Sequence, residues 1–289
     1  MRATRSLMTL LSATALLLGS QFAYADRFKD IEITATPLSD NIFMLTGSGG
    51  NMAAVANPEG VLLIDSQYAE LADKIRATLT TLSPAPLTTL INTHMHGDHV
   101  GGNAALAANA NIVAHKNVRP RLMSNANFDK AGLPKTNIEQ TTPLQHGLIE
   151  LVLEPMPASH TDGDLLVWFP EQNIVHMGDL LFQGRFPFID TNNGGNVQQY
   201  IENTRYVLSR IDDNTKVIPG HGELTNKAGL AAELAMLEQT LALVQQMRAQ
   251  GLSEQQIIDK GLGTQWQAWH WNFITEERWI KTLYQATEA

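Results

Sequence analysis

The chain has 289 residues, 44 % of them hydrophobic, with 20 basic against 29 acidic side chains and no cysteine. Length and apolar content suit one large folded domain with a sizeable core. The formal charge of −9 disfavours nucleic acid as a partner, because polyanions are drawn to clustered Lys and Arg, and without a thiol there is neither a disulfide nor a lipid anchor on cysteine.

In chain order, residues 1–25 read as a secretory signal. Arg2 and Arg5 form a charged start, residues 7–18 are apolar, and Ala23-Tyr24-Ala25 offers a small-x-small cleavage site. The apolar run is too short to span a bilayer. The expectation is an exported periplasmic protein without a membrane anchor, with residues 26–289 as a single domain. Short strands follow at 41–46, 52–56 and 61–65, separated by the turn clusters 47–51 and 57–60. Leu71, Ile75, Leu79 and Leu82 give residues 68–82 a helical stripe, which Pro84 and Pro86 stop.

The apolar run 87–91 is a strand leading into His94-Met95-His96-Gly97-Asp98-His99. Gly101-Gly102-Asn103 opens a helix to about residue 108, its glycines allowing close backbone packing under the preceding loop. After a strand at 112–114 the chain is irregular. Further strands are expected at 148–153, 164–169, 174–176 and 216–218, and helices at 197–210, 226–250 and 275–286. The loop 182–196 is unusually apolar, with Phe182, Phe186, Phe188 and Ile189, and Trp266, Trp269, Trp271 and Phe273 cluster near the end. An apolar wall around a site points to a ligand with a hydrophobic part, while buried aromatic packing explains the same residues equally well.

Four potential ligands in six residues make residues 94–99 a metal site. Alternation beyond the strand sends His94 and His96 to one side, toward one ion, while Asp98 and His99 turn toward a neighbouring one. Three more ligands stand in short breaks downstream: His160 in Ser-His-Thr-Asp-Gly-Asp, Asp179 in Met-Gly-Asp and His221 in Pro-Gly-His-Gly. A catalytic ion takes about three protein ligands and keeps one position open, so seven ligands suffice for two ions. His115, His146, His176 and His270 each stand alone and read as structural, His176 because it ends a strand. Asp65, Asp162 and Asp164 are candidates for fixing the imidazoles.

The pattern His-x-His-x-Asp-His, then a single His, an Asp and a final His, resembles the metallo-β-lactamase superfamily of hydrolases. That resemblance implies an α/β fold, the four-layer αββα sandwich, with His94, His96 and His160 on a first zinc ion, Asp98, His99 and His221 on a second, and Asp179 between them. It also implies attack of a metal-bound hydroxide on a lactone, ester, thioester or β-lactam, with Asp98 orienting the nucleophile. The chain departs from zinc β-lactamases of the first subclass, which have Cys at the place of Asp179 and a Lys at that of Phe182. It departs from the third subclass too, which has Ser there. The bridging Asp is like that of type II glyoxalases and lactonases, and His96 replaces the Glu of the redox-active flavodiiron branch. The other readings are an iron enzyme like the persulfide dioxygenases, with its ion at His94, His160 and Asp179, and a non-catalytic periplasmic accessory of a quinoprotein oxidation system.

Overall fold

Turn residues at 47–51 and 57–60 reverse the chain, so the apolar runs between them pair as an antiparallel meander. The computed structural model, which describes residues 27–287, forms it from β1 (Thr34–Pro37), β2 (Ile42–Thr46), β3 (Met52–Asn57) and β4 (Gly60–Ile64). Helix α1 (Ala72–Leu82) then carries the chain across to β5 (Leu87–Asn92), parallel to β4, since a parallel neighbour needs a crossover. The single turns α2 (Gly97–Val100) and α3 (Asn103–Leu106) lead to β6 (Asn111–His115), and α4 (Val118–Ser124) leads to β7 (Thr136–Ile138). Both strands extend the parallel side, giving a seven-stranded sheet in sequence order.

Between Ile138 and Thr142 the chain passes to a second sheet. Here β8 (Thr142–His146), β9 (Ile149–Pro155), β10 (Leu165–Phe169) and β11 (Ile174–His176) pair antiparallel. Helix α5 (Val197–Arg210) brings β12 (Lys216–Ile218) back parallel to β11. Helices α6 (Lys227–Ala249), α7 (Glu254–Lys260) and α8 (Glu276–Ala286) complete the described chain.

Strand alternation separates the layers. Leu62 and Ile64 of β4 point into a core shared with Leu151, Leu153, Val167 and Phe169 of the second sheet. Their neighbours Val61 and Leu63 face the other way, onto Leu71, Ile75 and Leu79 of the α1 region. On the far side, Leu166, Val175 and Val217 meet Tyr200, Val207, Leu237, Trp279 and Leu283 of the second helical layer. The order is helix, sheet, sheet, helix, as the family resemblance implied, and β4 reads as an unbroken apolar run because both its faces are covered.

Several elements differ from the sequence reading. The helix expected from Gly101 to about residue 108 is only the single turn α3, and a further turn, α2, lies before it in the ligand run; a Cβ on Gly102 would strike the carbonyl of Ser66, so this backbone is pressed under the Asp65–Gln67 turn. β1, β7, β8, α4 and α7 were not expected. β8 alternates half-buried with exposed residues and carries Pro143, which an edge strand tolerates. The leader expected over residues 1–25 lies outside the described residues. Among the described residues, no helix is long and apolar enough to cross a membrane.

Candidate metal centre

The seven side chains singled out from the sequence converge at the ends of strands from both sheets. His94, His96, Asp98 and His99 follow β5, His160 stands between β9 and β10, Asp179 follows β11, and His221 follows β12. They form two sets, His94, His96, His160 and Asp179 in one and Asp98, His99 and His221 in the other, with ligand atoms within 4.8 Å of one another inside each set.

In the first set His94 Nε2 is 3.1 Å from His96 Nδ1, which is 2.9 Å from His160 Nε2. Asp179 Oδ2 completes it, 3.7 Å from His94 Nε2 and 3.4 Å from His160 Nε2. The other oxygen, Oδ1, faces the second set, 3.1 Å from His99 Nε2 and 3.4 Å from His221 Nε2. Asp98 Oδ2 lies 3.3 Å from His221 Nε2 and 3.9 Å from His99 Nε2. Ligands of a tetrahedral ion with bonds near 2.1 Å stand roughly 3.4 Å apart, so both spacings fit a cation.

Two further observations fit one. His99 Nε2 and Asp179 Oδ1 are buried and, despite their proximity, neither has a hydrogen-bond partner. The backbone is also pared to make room: a Cβ on Gly50 would enter the His99 ring, and one on Gly220 would strike Asp179 Oδ1.

The outer nitrogen of four of the five imidazoles is engaged, which leaves the inner one free to ligate. Asp65 Oδ2 holds His99 Nδ1 at 2.7 Å and also accepts the Thr93 hydroxyl, whose oxygen faces His94 Nδ1 at 3.1 Å. The Phe188 carbonyl takes His160 Nδ1 at 2.8 Å. Asp190 Oδ2 is 2.9 Å from His96 Nε2, so His96 presents Nδ1 where the others present Nε2. Asp65 itself has φ of 62°, a conformation uncommon outside glycine that clusters at functional sites. Of the three acids singled out in the sequence, Asp65 touches an imidazole directly, that of His99. Asp164 accepts the amides of His160 and Thr161 and so fixes their turn, while Asp162 pairs with Arg121. Asp190 was missed. It lies 94 positions from His96, in the loop 182–196 whose aromatic residues drew notice instead, and no local pattern announces it.

Electrostatics agree with the geometry. Burial, reinforced by the charge of His99, holds His94 well below its ordinary value, and burial takes His160 down to about 4, so both are neutral and able to ligate. For Asp179 burial works upward, but His99, His221, His94 and His160 together keep it well below the carboxylate range. Burial also lowers His221, yet Asp179 and Asp98 outweigh it and lift the ring to about 9. His99 rises in the same way, with burial outweighed by Asp179, Asp65 and Asp98. Protons on these two rings stand where a cation would.

The centre opens into a cleft of about 610 Å³. Phe182 stacks on His221, centroids 5.0 Å apart and planes at 17°, and Phe188 and Trp271 approach His96 and His221. The apolar residues of the sequence therefore divide: Phe182, Phe188, Trp271 and Phe273 line the cleft, while Phe186, Ile189 and Trp266 are packed in the core. His176 is buried within hydrogen-bonding distance of the Asn51 carbonyl and the Gly178 amide, as a structural residue.

A family model, the metallo-beta-lactamase superfamily, matches residues 45–221. The chain belongs to this superfamily. It is similar to the metallo-beta-lactamase type 2 of Bacillus cereus, 23 % identical over 215 residues that cover 71 % of this chain and 83 % of that one. It also resembles the hydroxyacylglutathione hydrolase of a Polaromonas species, 31 % identical over 148 residues, 48 % of this chain and 50 % of the relative. Among solved structures, a metallo-beta-lactamase from Pontibacter korlensis superposes with a TM-score of 0.61 at 20 % identity, covering 72 % of this chain and 99 % of that one. The sec-alkylsulfatase Pisa1 from a Pseudomonas species gives 0.67 at 15 % identity and covers 88 % of this chain and 50 % of its own. The shared fold thus extends past the segment that the family model matches.

Proposed function

We propose that the protein is an exported, dinuclear zinc-dependent hydrolase that cleaves a carbonyl-containing small molecule, a lactone, ester, thioester or β-lactam. The observation that carries this reading is Asp179, whose two oxygens face different ligand sets. His94, His96 and His160 would hold one ion and Asp98, His99 and His221 the other, with Asp179 shared. Two such ions supply Lewis-acid polarisation of a carbonyl oxygen and lower the pKa of water.

The chain's own residues do the rest. Asp98 is the more exposed acid of the centre, 23 % by side chain against 4 % for Asp179. Burial favours its acid form, but His99 and His221 hold it below the ordinary carboxylate value, so it is ionised at neutral pH. The carboxylate oxygen left over from the ligand set can therefore accept a hydrogen bond from the attacking water, orient it and take its proton. Phe182, Phe188, Trp271 and Phe273 exclude bulk water and offer an apolar surface to the substrate. Relatives named for β-lactam and for hydroxyacylglutathione hydrolysis support a carbonyl substrate.

The test is metal analysis of the purified mature protein together with a panel of a chromogenic cephalosporin, lactones, aryl esters and glutathione thioesters. The expected result is about two zinc ions per chain and turnover of at least one compound. One iron ion per chain with oxygen uptake and no hydrolysis would replace this reading with that of the dioxygenase. Export is tested by sequencing the N-terminus of the periplasmic protein, which should begin at Asp26.

A further inference from the structure

The surface ion pairs of Arg76 with Asp73 and of Arg205 with Glu238 join exposed side chains and end in solvent. The pair between Arg121 on α4 and Asp162 continues inward instead. Arg121 Nε and Nη2 donate to the two oxygens of Asp162 at 2.8 and 2.6 Å, the bidentate geometry that a guanidinium favours. Its Nη1 donates to Asn193 Oδ1 at 2.8 Å. Asn193 Nδ2 in turn donates at 2.7 Å to Asp190 Oδ2, the same oxygen that stands 2.9 Å from His96 Nε2. Arg121, Asn193, Asp190 and His96 thus form one hydrogen-bonded line from the surface to a ligand of the first set.

The line also fastens loops from different parts of the chain. Helix α4 lies between strands of the first sheet, and its guanidinium grips the turn of His160 through Asp162 and the turn of Asp190 through Asn193. The backbones of those two turns are laced together: the Asp162 amide donates to the Asn193 carbonyl at 3.0 Å, and the Asp190 amide to the His160 carbonyl at 2.9 Å. They pack so closely that a Cβ on Gly194, whose φ of 87° itself favours glycine, would stand 2.7 Å from the Asp162 Cβ. Asp190 therefore serves two ligands of the first set, His96 by its side chain and His160 by its amide. An oxygen shared by two donors is held by both, so releasing the Asn193 end frees the carboxylate to turn away from His96.

We propose that Arg121 is a positioning residue for the first ion: acting through Asn193 and Asp190, it holds the His96 ring in the orientation that presents Nδ1 to the centre. It belongs to neither ligand set, and the second set takes its orientation from Asp65. Its effect therefore falls on the metal affinity of one set and not the other. This rests on the dinuclear reading of the centre and assigns a surface residue to the upkeep of one half of it.

The test measures stepwise zinc release from the loaded protein to a chromophoric chelator. Arg121→Met should weaken one ion about tenfold, the low end for an outer partner of a ligand, and it should be the ion that Asp190→Ala weakens. Arg121→Lys keeps an ion pair with Asp162 but cannot span both turns, so it should lose metal as Arg121→Met does while keeping more of the thermal stability. Asn193→Ala, which leaves the Arg121–Asp162 pair in place, should weaken the same ion. In the Asp190→Ala background Arg121→Met should add little, because the line is already cut. Arg205→Gln should change neither ion. Additive losses in the double variant, equal weakening of both ions, or unchanged release from a folded R121M would overturn the inference while leaving the dinuclear reading standing. An unaltered protein that takes up a single ion refutes the dinuclear reading, and Arg121 is then judged on that ion by the same cycle with Asp190; no uptake at all refutes both.

Discussion

His99 and Asp65 form a fully buried pair, Nδ1 to Oδ2 at 2.7 Å, which ties the second ligand set to the end of β4. The same carboxylate takes the amide and hydroxyl of Thr93, and through that hydroxyl it reaches His94. One acid thus orients a ring of each set. Asp65→Asn preserves shape and tolerates the positive φ but supplies a weaker acceptor. Metal affinity, read by competition with a chromophoric chelator, should fall about 10- to 100-fold with little loss of thermal stability.

Asp190 does the corresponding work for His96. Asp190→Asn should weaken the first ion more than the second, in the same affinity range. Sequential release of two ions by a chelator checks this, and loss of both ions in parallel would remove Asp190 from the role.

Asp98→Asn should reduce turnover of whichever panel compound is cleaved by at least about 100-fold, the usual scale of a lost general base, while the melting temperature holds. His146→Ala, whose ring contacts the Gly60 carbonyl far from the centre, should leave turnover within a few-fold. Equal losses in both variants would refute the assignment of Asp98.

The raised rings of His221 and His99 make metal uptake a proton exchange. With His221 lifted to about 9 by Asp179 and Asp98 against burial, the metal-free protein at pH 7 carries its proton, which an incoming cation must displace. Apparent affinity should therefore rise with pH up to about 9. Calorimetry in buffers of different ionisation enthalpy should record proton release at pH 7.

Glu233 on α6 is fully buried, and neither carboxyl oxygen has a well-aligned hydrogen-bond partner. Burial pushes its carboxyl well above the usual range, with the Gly184 amide opposing only in part. An acid raised in the folded state favours folding while it stays protonated. That contribution is complete below the unfolded value of about 4.3 and is lost as pH climbs toward the folded value. Glu233→Gln should match the unaltered protein near pH 4 and melt at a higher temperature at pH 8.

The seven converging side chains were legible because four stand in one six-residue run and each of the others sits in a short break at a strand end, a local pattern. The layer order came from the family resemblance that those ligands carry, and the apolar runs of β4 and β10 agree with strands covered on both faces. β8 escaped because half its residues face solvent and Pro143 interrupts it. Asp190 escaped because its contact exists only after His96, distant in sequence, is brought beside it. Composition flagged the aromatic loop 182–196, but only packing separates Phe182, which faces the cleft, from Phe186, which is stacked on Trp279 in the core.

Among the described residues the chain enters its second sheet once, between β7 and β8, and the ligand residues are divided across that crossing. Everything made before residue 139 contributes His94, His96, Asp98 and His99, while His160, Asp179 and His221 arrive afterwards. An ion captured by a nascent or half-emerged polypeptide would meet only fragments of either set. Complete ligand sets therefore exist only once the two halves have docked, and a chain that folds after export would draw its ions from the compartment it has reached rather than from the one where it was made.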